Sequence, residues 1–327
     1  MNDIKVSVVM PVYNMQAYIG EAIESILGQT LKETEIICMD DCGTDDTAAI
    51  IKEYCEKYPN VRYFSMEVNS GAGMARATAM THATGEYLAF MDADDRICRK
   101  DALEILYKKA SEGNCDVCGG FVNDFSDKEI KDYPRFRELF DKADTSSIEA
   151  VCAKDLDYSQ IQDDFYFQGF IYKREYLEKN NITFPEIRVY EDPVFLVRAL
   201  YFANCIRVVN IEYYGHRFDY KQHNFNVSHG VCFLKGTIMN LEFAREHGLT
   251  VLYDKTLERA DQIFLLPMLS FMSKHDKEYM DLLMQLDELV MKDGRNLAVM
   301  EYIDFLSARK DLFLQFYKYK YGRDFVY

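Results

Sequence analysis

Residues 6–12 read VSVVMPV, a run dominated by β-branched and apolar side chains that predicts a buried strand. Four apolar residues then recur at helical spacing, at positions 19, 23, 26 and 27. The same alternation continues along the first third of the chain, and it predicts further strands at 35–39, 61–66, 87–91 and 117–121. Between them we expect helices through residues 50–54, at 71–83 and at 101–110. Because parallel strands need a crossover connection, this order predicts an α/β fold with a doubly wound, mostly parallel sheet flanked by helices.

The pattern changes in the second half of the chain. Residues 124–186 show no clear periodicity, a helix is predicted from Pro193, and a short strand is predicted at 206–210. Beyond residue 224 the pattern is helical to the end. We therefore predict one α/β domain over 1–225 and a C-terminal helical region over 226–327.

The composition of the chain limits the partners and the cellular environment that we expect for it. The chain has 38 Lys and Arg against 54 Asp and Glu, a formal net charge of -16, so we expect no general attraction for nucleic acid. No stretch approaches the ~20 apolar residues of a membrane-spanning helix, and the N-terminus lacks the pattern of a secretory signal. The nine cysteines suggest reduced thiols in a cytoplasm. Cys115 and Cys118 have the spacing of half a zinc site, but two ordinary strand residues are the favoured interpretation.

Acidic residues follow two of the predicted strands directly. Asp40 and Asp41 come after the second strand, and Asp92, Asp94 and Asp95 come after the fourth. In doubly wound sheets the ligand binds outside the carboxyl ends of the strands, so these side chains predict a site. Asp92 and Asp94 could converge on one Mg²⁺ or Mn²⁺ ion, although a solvated acidic turn is the alternative. The carboxylates after the second strand could accept a hydrogen bond from a base or ribose, or simply from loop amides.

Three further segments carry residues capable of chemistry. Arg76 lies in the first turns of a helix preceded by small residues, a pattern that suits anion binding but also tight packing. In the segment Glu191-Asp192-Pro193, an Asp at the N-cap with Pro at the first helical position is the structural interpretation, and a general base is the functional one. His216 is a candidate metal or phosphate ligand, or a packed residue of an aromatic stretch.

Taken in order, these segments resemble family 2 glycosyltransferases, the inverting enzymes of the GT-A fold. The likeness lies in VSVVMPVYN (6–14), EAIESILGQT (21–30), residues 40–47 and 69–76, GEYLAFMDADD (85–95) and the pair at 191–192. It covers about residues 4–220. The resemblance implies a GT-A domain with a Rossmann-like sheet over 1–225, divided into a nucleotide-sugar half at 1–123 and an acceptor half at 124–225.

The resemblance also implies the role of each residue on the nucleotide side. Pro11 and Tyr13 would line the uracil pocket of a UDP-sugar, and Asp41 would hydrogen-bond the base. Arg76 would approach the nucleotide. Two departures from the family pattern affect this side: Cys42 and the residue after it replace the usual Gly-Ser, and positions 77 and 79 hold Ala instead of Asn and Gly.

The same resemblance implies roles for the residues around the reacting atoms. Asp92 would contact ribose or the metal, and Asp94 would coordinate Mn²⁺ or Mg²⁺ at the diphosphate, with His216 as a second candidate ligand. Asp192 would be the catalytic base and Glu191 its neighbour. The expected activity is transfer of a sugar, with inversion, to a hydroxyl of a saccharide or lipid-linked acceptor in cell-surface polysaccharide or glycolipid synthesis.

Two other functions remain open at this point. A sugar nucleotidyltransferase would also need an α/β sheet and acidic metal ligands, but it normally has a glycine-rich basic loop after the first strand, and residues 11–17 (PVYNMQA) contain neither. A non-catalytic nucleotide-binding protein is the third hypothesis.

Residues 311–327 (DLFLQFYKYKYGRDFVY) mix aromatic and basic side chains, which favours either packing on the helical region or a peripheral membrane contact.

Overall fold

A ten-stranded mixed sheet lies at the centre of the first of two compact units in the chain, which comprise residues 1–222 and 223–327. The structure is a computed structural model and describes residues 3–126, 130–132, 136–140, 145, 147–162, 164–218, 226–260, 277–295 and 297. Along the main path of the sheet the strand order is β3-β2-β1-β4-β9-β6-β10-β5, with β7 paired to β6 and β8 paired to β10.

The strands have the following bounds: β1 Val6–Val12, β2 Thr34–Asp40, β3 Val61–Ser65, β4 Tyr87–Phe90, β5 Arg96–Ile97, β6 Val117–Phe125, β7 Ile130–Asp132, β8 Ala153–Leu156, β9 Phe170–Lys173 and β10 Ile206–Arg217. The helices of this unit are α1 Ile19–Leu27, α2 Thr47–Lys57, α3 Ala72–Met80, α4 Ala102–Glu112, α5 Tyr158–Ile161, α6 Arg174–Lys179 and α7 Glu191–Tyr201. The predicted strands of the first third are all present.

The first four strands form the parallel part of the sheet. β1 lies between β2 and β4, and β3 pairs with β2, all in parallel register. The helices α1, α2 and α3 make the crossovers between them, as parallel pairing requires. β1 and β2 are buried along their whole length, which explains why apolar residues dominate the middle of both strands. The predicted α/β fold with a mostly parallel sheet is therefore confirmed.

The sheet becomes mixed beyond β4. β9 lies between β4 and β6 and is antiparallel to both, whereas β10 runs parallel to β6. β6 carries Gly119 at this junction, where a Cβ atom would lie 2.3 Å from the ring of Phe170 and 2.6 Å from the carbonyl oxygen of Gly169. Glycine at this position therefore permits β9 to enter the sheet beside β6.

Two predicted element boundaries were wrong in ways that concern the site. The strand predicted at 206–210 is β10, which continues to Arg217 and so places the aromatic and basic residues of that stretch inside the sheet. Helix α7 begins at Glu191, with Tyr190 as its N-cap, so Asp192 is not the N-cap and Pro193 is not the first helical residue. The side chain of Asp192 is thus not used for capping.

The second unit is helical where it is described. Helix α8 spans Val227–Glu246, residues 250–260 are helical, and a further helix spans Lys277–Met291 and contacts α8. Within the described residues, no helix is sufficiently long and apolar to span a membrane. The basic and aromatic segment at 311–327 lies outside the described residues, and its two interpretations stay open.

The cysteines are not all reduced in the structure. Cys115 and Cys205, which precede β6 and β10, form a disulfide, so the expectation of reduced thiols is wrong for this pair. The other seven cysteines are free, and Cys118 is a buried residue of β6. The half zinc site suggested by the spacing of Cys115 and Cys118 is therefore not formed.

Candidate active site

The acidic residues that follow β2 and β4 gather at the carboxyl ends of neighbouring parallel strands. β1 lies between these two strands, so Asp41 comes just after one neighbour of β1 and Asp92 just after the other. Both carboxylates make hydrogen bonds at this edge of the sheet, which brings α3 and the start of α7 to the same place. The edge is the candidate active site.

Arg76 is the residue that joins the separate segments of this site. It lies on α3, is 4% exposed, and donates one hydrogen bond of 2.5 Å to Asp92 Oδ1 and another of 2.9 Å to Glu191 Oε1. Its guanidinium also lies over the rings of Phe167 and Phe184, with centroid distances of 4.9 and 5.4 Å. Burial by itself would lower the pKa of Arg76, but the two carboxylates raise that pKa well above its usual range. The side chain is therefore a permanent buried cation that binds the two acidic motifs together.

Asp92 is held from two sides. Arg76 bonds its Oδ1 atom, and the side-chain amide of Gln168 donates to its Oδ2 atom over 3.2 Å. Its backbone N–H donates to the Tyr214 hydroxyl over 3.1 Å. One-fifth of the Asp92 side chain stays exposed.

The turn that carries Asp94 is fixed to the end of β10. Arg217 donates from its backbone N–H to Asp95 Oδ1 and from its Nε atom to the Asp94 carbonyl oxygen, at 2.8 and 3.0 Å. The Tyr214 hydroxyl donates to Asp95 Oδ2 over 2.6 Å. Burial, with the charges of Asp92 and Asp94, raises the pKa of Asp95 to about 7. Asp95 and Arg217 thus hold the turn in place and fix the backbone position of Asp94. Asp94 is 2% exposed.

His216 lies next to this turn on β10. Its Nδ1 atom is 2.9 Å from Oδ1 of Asp124 on the neighbouring strand β6. A carboxylate on one ring nitrogen is the usual support for a histidine whose other nitrogen binds a metal.

Asp94 and His216 would supply only some of the ligands that a divalent cation needs. Among the described residues, the one group of three or more close metal-binding side chains is Cys115, Asp155 and Cys205, and both sulfurs there are in the disulfide. The acidic edge therefore offers no closed cage of protein ligands. A carboxylate with an imidazole matches the way Mg²⁺ or Mn²⁺ is held by few protein ligands and completed by substrate phosphate oxygens.

Glu191 and Asp192 differ in what their carboxylates contact. Glu191 is buried and bonded to Arg76. The Asp192 carboxylate is partly buried and makes no ion pair or hydrogen bond with another residue of the described part of the chain. Burial and the charge of Glu191 raise the pKa of Asp192 well above its usual range. Asp192 is therefore the carboxylate of this pair that is available to take up a proton.

The residues predicted to bind the nucleotide lie beside a loop whose backbone N–H groups bond one of them. Asp41 is 3% exposed and accepts hydrogen bonds of 2.7 Å from the backbone N–H groups of Ser70 and Gly71, which fixes the turn before α3. Pro11 is buried in β1, whereas the Tyr13 side chain is 47% exposed beside it. The three residues predicted to surround a base therefore lie at the ends of adjacent strands, with one aromatic ring open to solvent.

The departure from the family pattern at Cys42 falls at a backbone position that favours glycine. Cys42 has φ of +62°, in the left-handed region that glycine enters at no cost. Its Sγ atom lies 3.3 Å from the carbonyl oxygen of Met66. A side chain therefore stands where the family has none, at the rim beside Asp41.

The bonds that Gln168, Asp95, Tyr214 and Asp124 make at the site were not predicted from the sequence, although Asp95 was expected at this edge. Asp95 was visible as the third acid of the DADD segment, but nothing local distinguishes a structural acid from a ligand. The others act through contacts with residues 76 to 122 positions away, as in the bond from the Gln168 amide to Asp92 and the bond from the Asp92 backbone N–H to the Tyr214 hydroxyl. No sequence signal could have identified them.

Curated proteins of known name resemble this chain over about two thirds of its length. The chain is 33% identical over 215 residues to the poly(ribitol-phosphate) beta-glucosyltransferase of Bacillus spizizenii, an alignment of 64% of this chain and 32% of that protein. It is 29% identical over 220 residues to the cholesterol galactosyltransferase of Borreliella burgdorferi, covering 64% of this chain and 59% of the relative. The chain thus spans less than two thirds of each relative.

The fold matches that of a solved structure. The crystal structure of S. aureus TarS 1-349 in complex with UDP-GlcNAc superposes with a TM-score of 0.68 at 24% identity, over 88% of this chain and 81% of that one. This likeness shows a GT-A fold. Residues 7–198 match the family described as Glycosyl transferase family 2, a region that contains every acidic residue of the site. The chain therefore belongs to glycosyl transferase family 2.

Proposed function

We propose that this protein is an inverting glycosyltransferase that moves a sugar from a UDP-sugar to a hydroxyl group of a saccharide or lipid-linked acceptor. The observation that carries the proposal is the partly buried Asp192 carboxylate, free of ion pairs within the described residues, beside the bridge from Arg76 to Asp92. The relatives named as a poly(ribitol-phosphate) beta-glucosyltransferase and a cholesterol galactosyltransferase support a role in cell-surface polysaccharide or glycolipid synthesis.

The donor side would be held by the ends of β1, β2 and β4. Pro11 and Tyr13 would contact the uracil ring, and Asp41, whose two oxygens accept from Ser70 and Gly71, would hold the neighbouring loop in place instead of bonding the base. The TarS structures with UDP and UDP-GlcNAc support a uridine nucleotide here. Asp92 would contact the ribose or the diphosphate. Its hydrogen bond with Arg76 fixes the orientation of its carboxylate.

The leaving group is a nucleoside diphosphate, so negative charge develops on it as the bond to the sugar breaks. Asp94 and His216 would hold Mn²⁺ or Mg²⁺, and that ion, when bound, would neutralise the developing charge. Arg76 is committed to two carboxylates, so its contribution is to fix Asp92 and to lower the negative potential of the acidic edge.

The acceptor hydroxyl would attack the anomeric carbon on the face opposite the diphosphate. Asp192 would remove the proton of this hydroxyl, a contribution typically worth about 10²–10⁴-fold. Glu191, bonded to Arg76, is not available for that role. Attack from the opposite face inverts the anomeric configuration.

A release assay tests the proposal. The protein is incubated with pooled UDP-sugars and candidate hydroxyl acceptors, and the products are separated. We expect UDP and, by NMR of the glycoside, a β-linked product from an α-linked donor. Release of pyrophosphate would indicate a nucleotidyltransferase, retention of configuration would exclude Asp192 as a base in direct displacement, and no release at all would favour a non-catalytic protein.

A further inference from the structure

The residue before the acidic pair has an unusual backbone conformation. Tyr190 is the N-cap of α7 and has φ of +70° and ψ of 18°, in the left-handed region. Bulky residues rarely enter this region, and they stay there only where the surrounding structure holds them. Tyr190 is 5% exposed, so its ring is part of what holds it.

The contact of the Tyr190 side chain explains the conformation. Its hydroxyl donates a hydrogen bond of 3.2 Å to Oδ2 of Asp164, a carboxylate with no exposed surface. The two residues are 26 positions apart, so this bond ties the start of α7 to the loop before β9.

That loop is also tied to the donor side of the site. After Asp164 it passes through Tyr166, which is left-handed with φ of +63°, into a short 3₁₀ turn at Phe167–Gly169. Gln168 in this turn donates to Asp92, and the Phe167 ring lies beneath Arg76. One loop therefore contacts Asp92 at one point and the segment of Asp192 at another.

Asp192 depends on its backbone for its direction. Its carboxylate bonds no other residue of the described chain, and it lies two positions after Tyr190. Glu191 is oriented by Arg76 from the side of α3. The bond between Tyr190 and Asp164 supplies a second point of attachment, at the residue directly before the pair.

We propose that Tyr190 and Asp164 are positioning residues that aim the Asp192 carboxylate at the acceptor hydroxyl. The inference rests on the proposed function. A displacement of about 1 Å at reacting groups can cost about 10²-fold in rate, so loss of this one bond should appear in turnover more than in stability.

The test is steady-state kinetics of the Tyr190→Phe variant, which removes only the hydroxyl. We expect kcat to fall about 10- to 100-fold, with the KM for the UDP-sugar and the affinity for UDP within about twofold of wild type. Asp164→Asn keeps an oxygen that can accept from Tyr190, so this variant should retain most of the turnover, whereas Asp164→Val should match Tyr190→Phe.

A matched control separates positioning from stability. The Tyr176 hydroxyl, also buried, donates over 2.9 Å to the carbonyl oxygen of Ala199, near the other end of the same helix. Tyr176→Phe should lower the melting temperature by a similar amount and leave kcat unchanged. Wild-type kcat in Tyr190→Phe, or equal losses in Tyr190→Phe and Tyr176→Phe, would overturn the positioning role.

The outcome for Asp192→Asn distinguishes the two levels of the hypothesis. If Asp192→Asn is inactive while Tyr190→Phe and Asp164→Val are fully active, the positioning role alone is excluded. If Asp192→Asn keeps full turnover, the proposed function of Asp192 fails and the positioning role fails with it. If Tyr190→Phe does not fold, the comparison of Asp164→Asn with Asp164→Val decides between the same results.

Discussion

At the scale of single residues, the site is organised by one buried guanidinium. Arg76 bonds the acidic motif after β4 and the acidic pair at the start of α7, which are far apart in sequence. A buried charge is costly unless it is paired, and here one guanidinium is paired with two carboxylates. The consequence is that Asp92 and Glu191 are engaged and Asp192 is left available.

The first prediction concerns that available carboxylate. Asp192→Asn should reduce turnover about 10²–10⁴-fold because the amide cannot accept the acceptor proton. UDP affinity, measured by calorimetry, should be unchanged, since Asp192 lies outside the nucleotide contacts. The control is Glu175→Gln, an exposed acid in the first turn of α6. Equal turnover in Asp192→Asn and wild type would remove Asp192 from the role of base.

The second prediction follows from the raised pKa of Asp192. A general base must be ionised to act, so turnover falls as pH decreases through the pKa of that base. Because burial and Glu191 raise this pKa, the loss should begin at a higher pH than the usual 3.8 of an aspartate would give. The profile of log kcat against pH measures it, and the residual activity of Asp192→Asn should lack that acid limb. A limb at the ordinary aspartate value would contradict the assignment.

The third prediction concerns the metal. Asp94→Ala should abolish the increase in UDP affinity that Mn²⁺ produces, because the carboxylate at the end of β4 supplies a hard oxygen ligand. Calorimetric titration of UDP with and without Mn²⁺ measures the difference. Glu67→Ala is the control, an exposed acid that follows β3 at the same edge. If wild-type protein binds UDP equally well in EDTA, the metal assignment is wrong.

At the scale of elements, the contact of α3 with the start of α7 sets the spacing of the site. Gly73 of α3 faces Glu191, and a Cβ atom there would lie 2.5 Å from Glu191 Cγ and 3.1 Å from its Cβ. Glycine in a helix lowers helix stability, so its presence here is explained by the close approach of the two helices.

The fourth prediction compares two helical glycines. Gly73→Ala should displace Glu191, destabilise the protein by about 1–3 kcal/mol and lower turnover at the same time. Gly20→Ala in α1 would place its Cβ at 3.5 Å from the Tyr54 hydroxyl, an ordinary contact. That variant should gain about 0.5–1 kcal/mol from helix propensity with normal turnover. Denaturant titration and the release assay measure both, and normal turnover in Gly73→Ala would contradict the packing argument.

At the scale of the whole molecule, the two ends of the parallel strands carry different groups of polar residues. The carboxyl edge carries the candidate site, and the opposite edge carries a buried polar cluster around Glu35, which is 4% exposed. Glu35 accepts hydrogen bonds from Ser7, from Thr84 and from Arg62, which lie on β1, before β4 and on β3. This carboxylate therefore joins the four parallel strands at the end remote from catalysis.

The fifth prediction separates stability from activity. Burial by itself would raise the pKa of Glu35, but the hydrogen bonds from Ser7, Thr84 and Arg62 outweigh it and hold the pKa below its usual value. A carboxylate with a lowered folded-state pKa stabilises the protein above its unfolded pKa and loses that effect as pH falls. Glu35→Gln should therefore lower the unfolding free energy at pH 7 by about 1–3 kcal/mol.

The difference between Glu35→Gln and wild type should shrink as pH falls through the folded-state pKa, and turnover per folded molecule should be normal. Urea titrations at several pH values measure the first effect and the release assay the second. Glu53→Gln, on the exposed face of α2, is the control. A difference that grows on acidification would exclude the stated origin of the effect.

The elements of the first third could be predicted because their patterns are local. Buried parallel strands such as β1 and β2 are read from continuous apolar runs, and the amphipathic helices between them from spacing alone. β9 and the full length of β10 could not be predicted, since β9 enters between β4 and β6 only because Gly119 leaves room for it. The start of α7 was misplaced because Tyr190 adopts a conformation that its sequence neighbours do not favour.

The amino-acid sequence by itself determined which carboxylates follow which strands, because strand ends and acidic residues are adjacent along the chain. Only the tertiary structure decided which of those carboxylates are available. Asp41 is occupied by loop amides, Asp92 by Arg76 and Gln168, and Glu191 by the same arginine 115 positions earlier. Such engagement depends on contacts between residues distant in the chain, and a linear pattern carries no information about them.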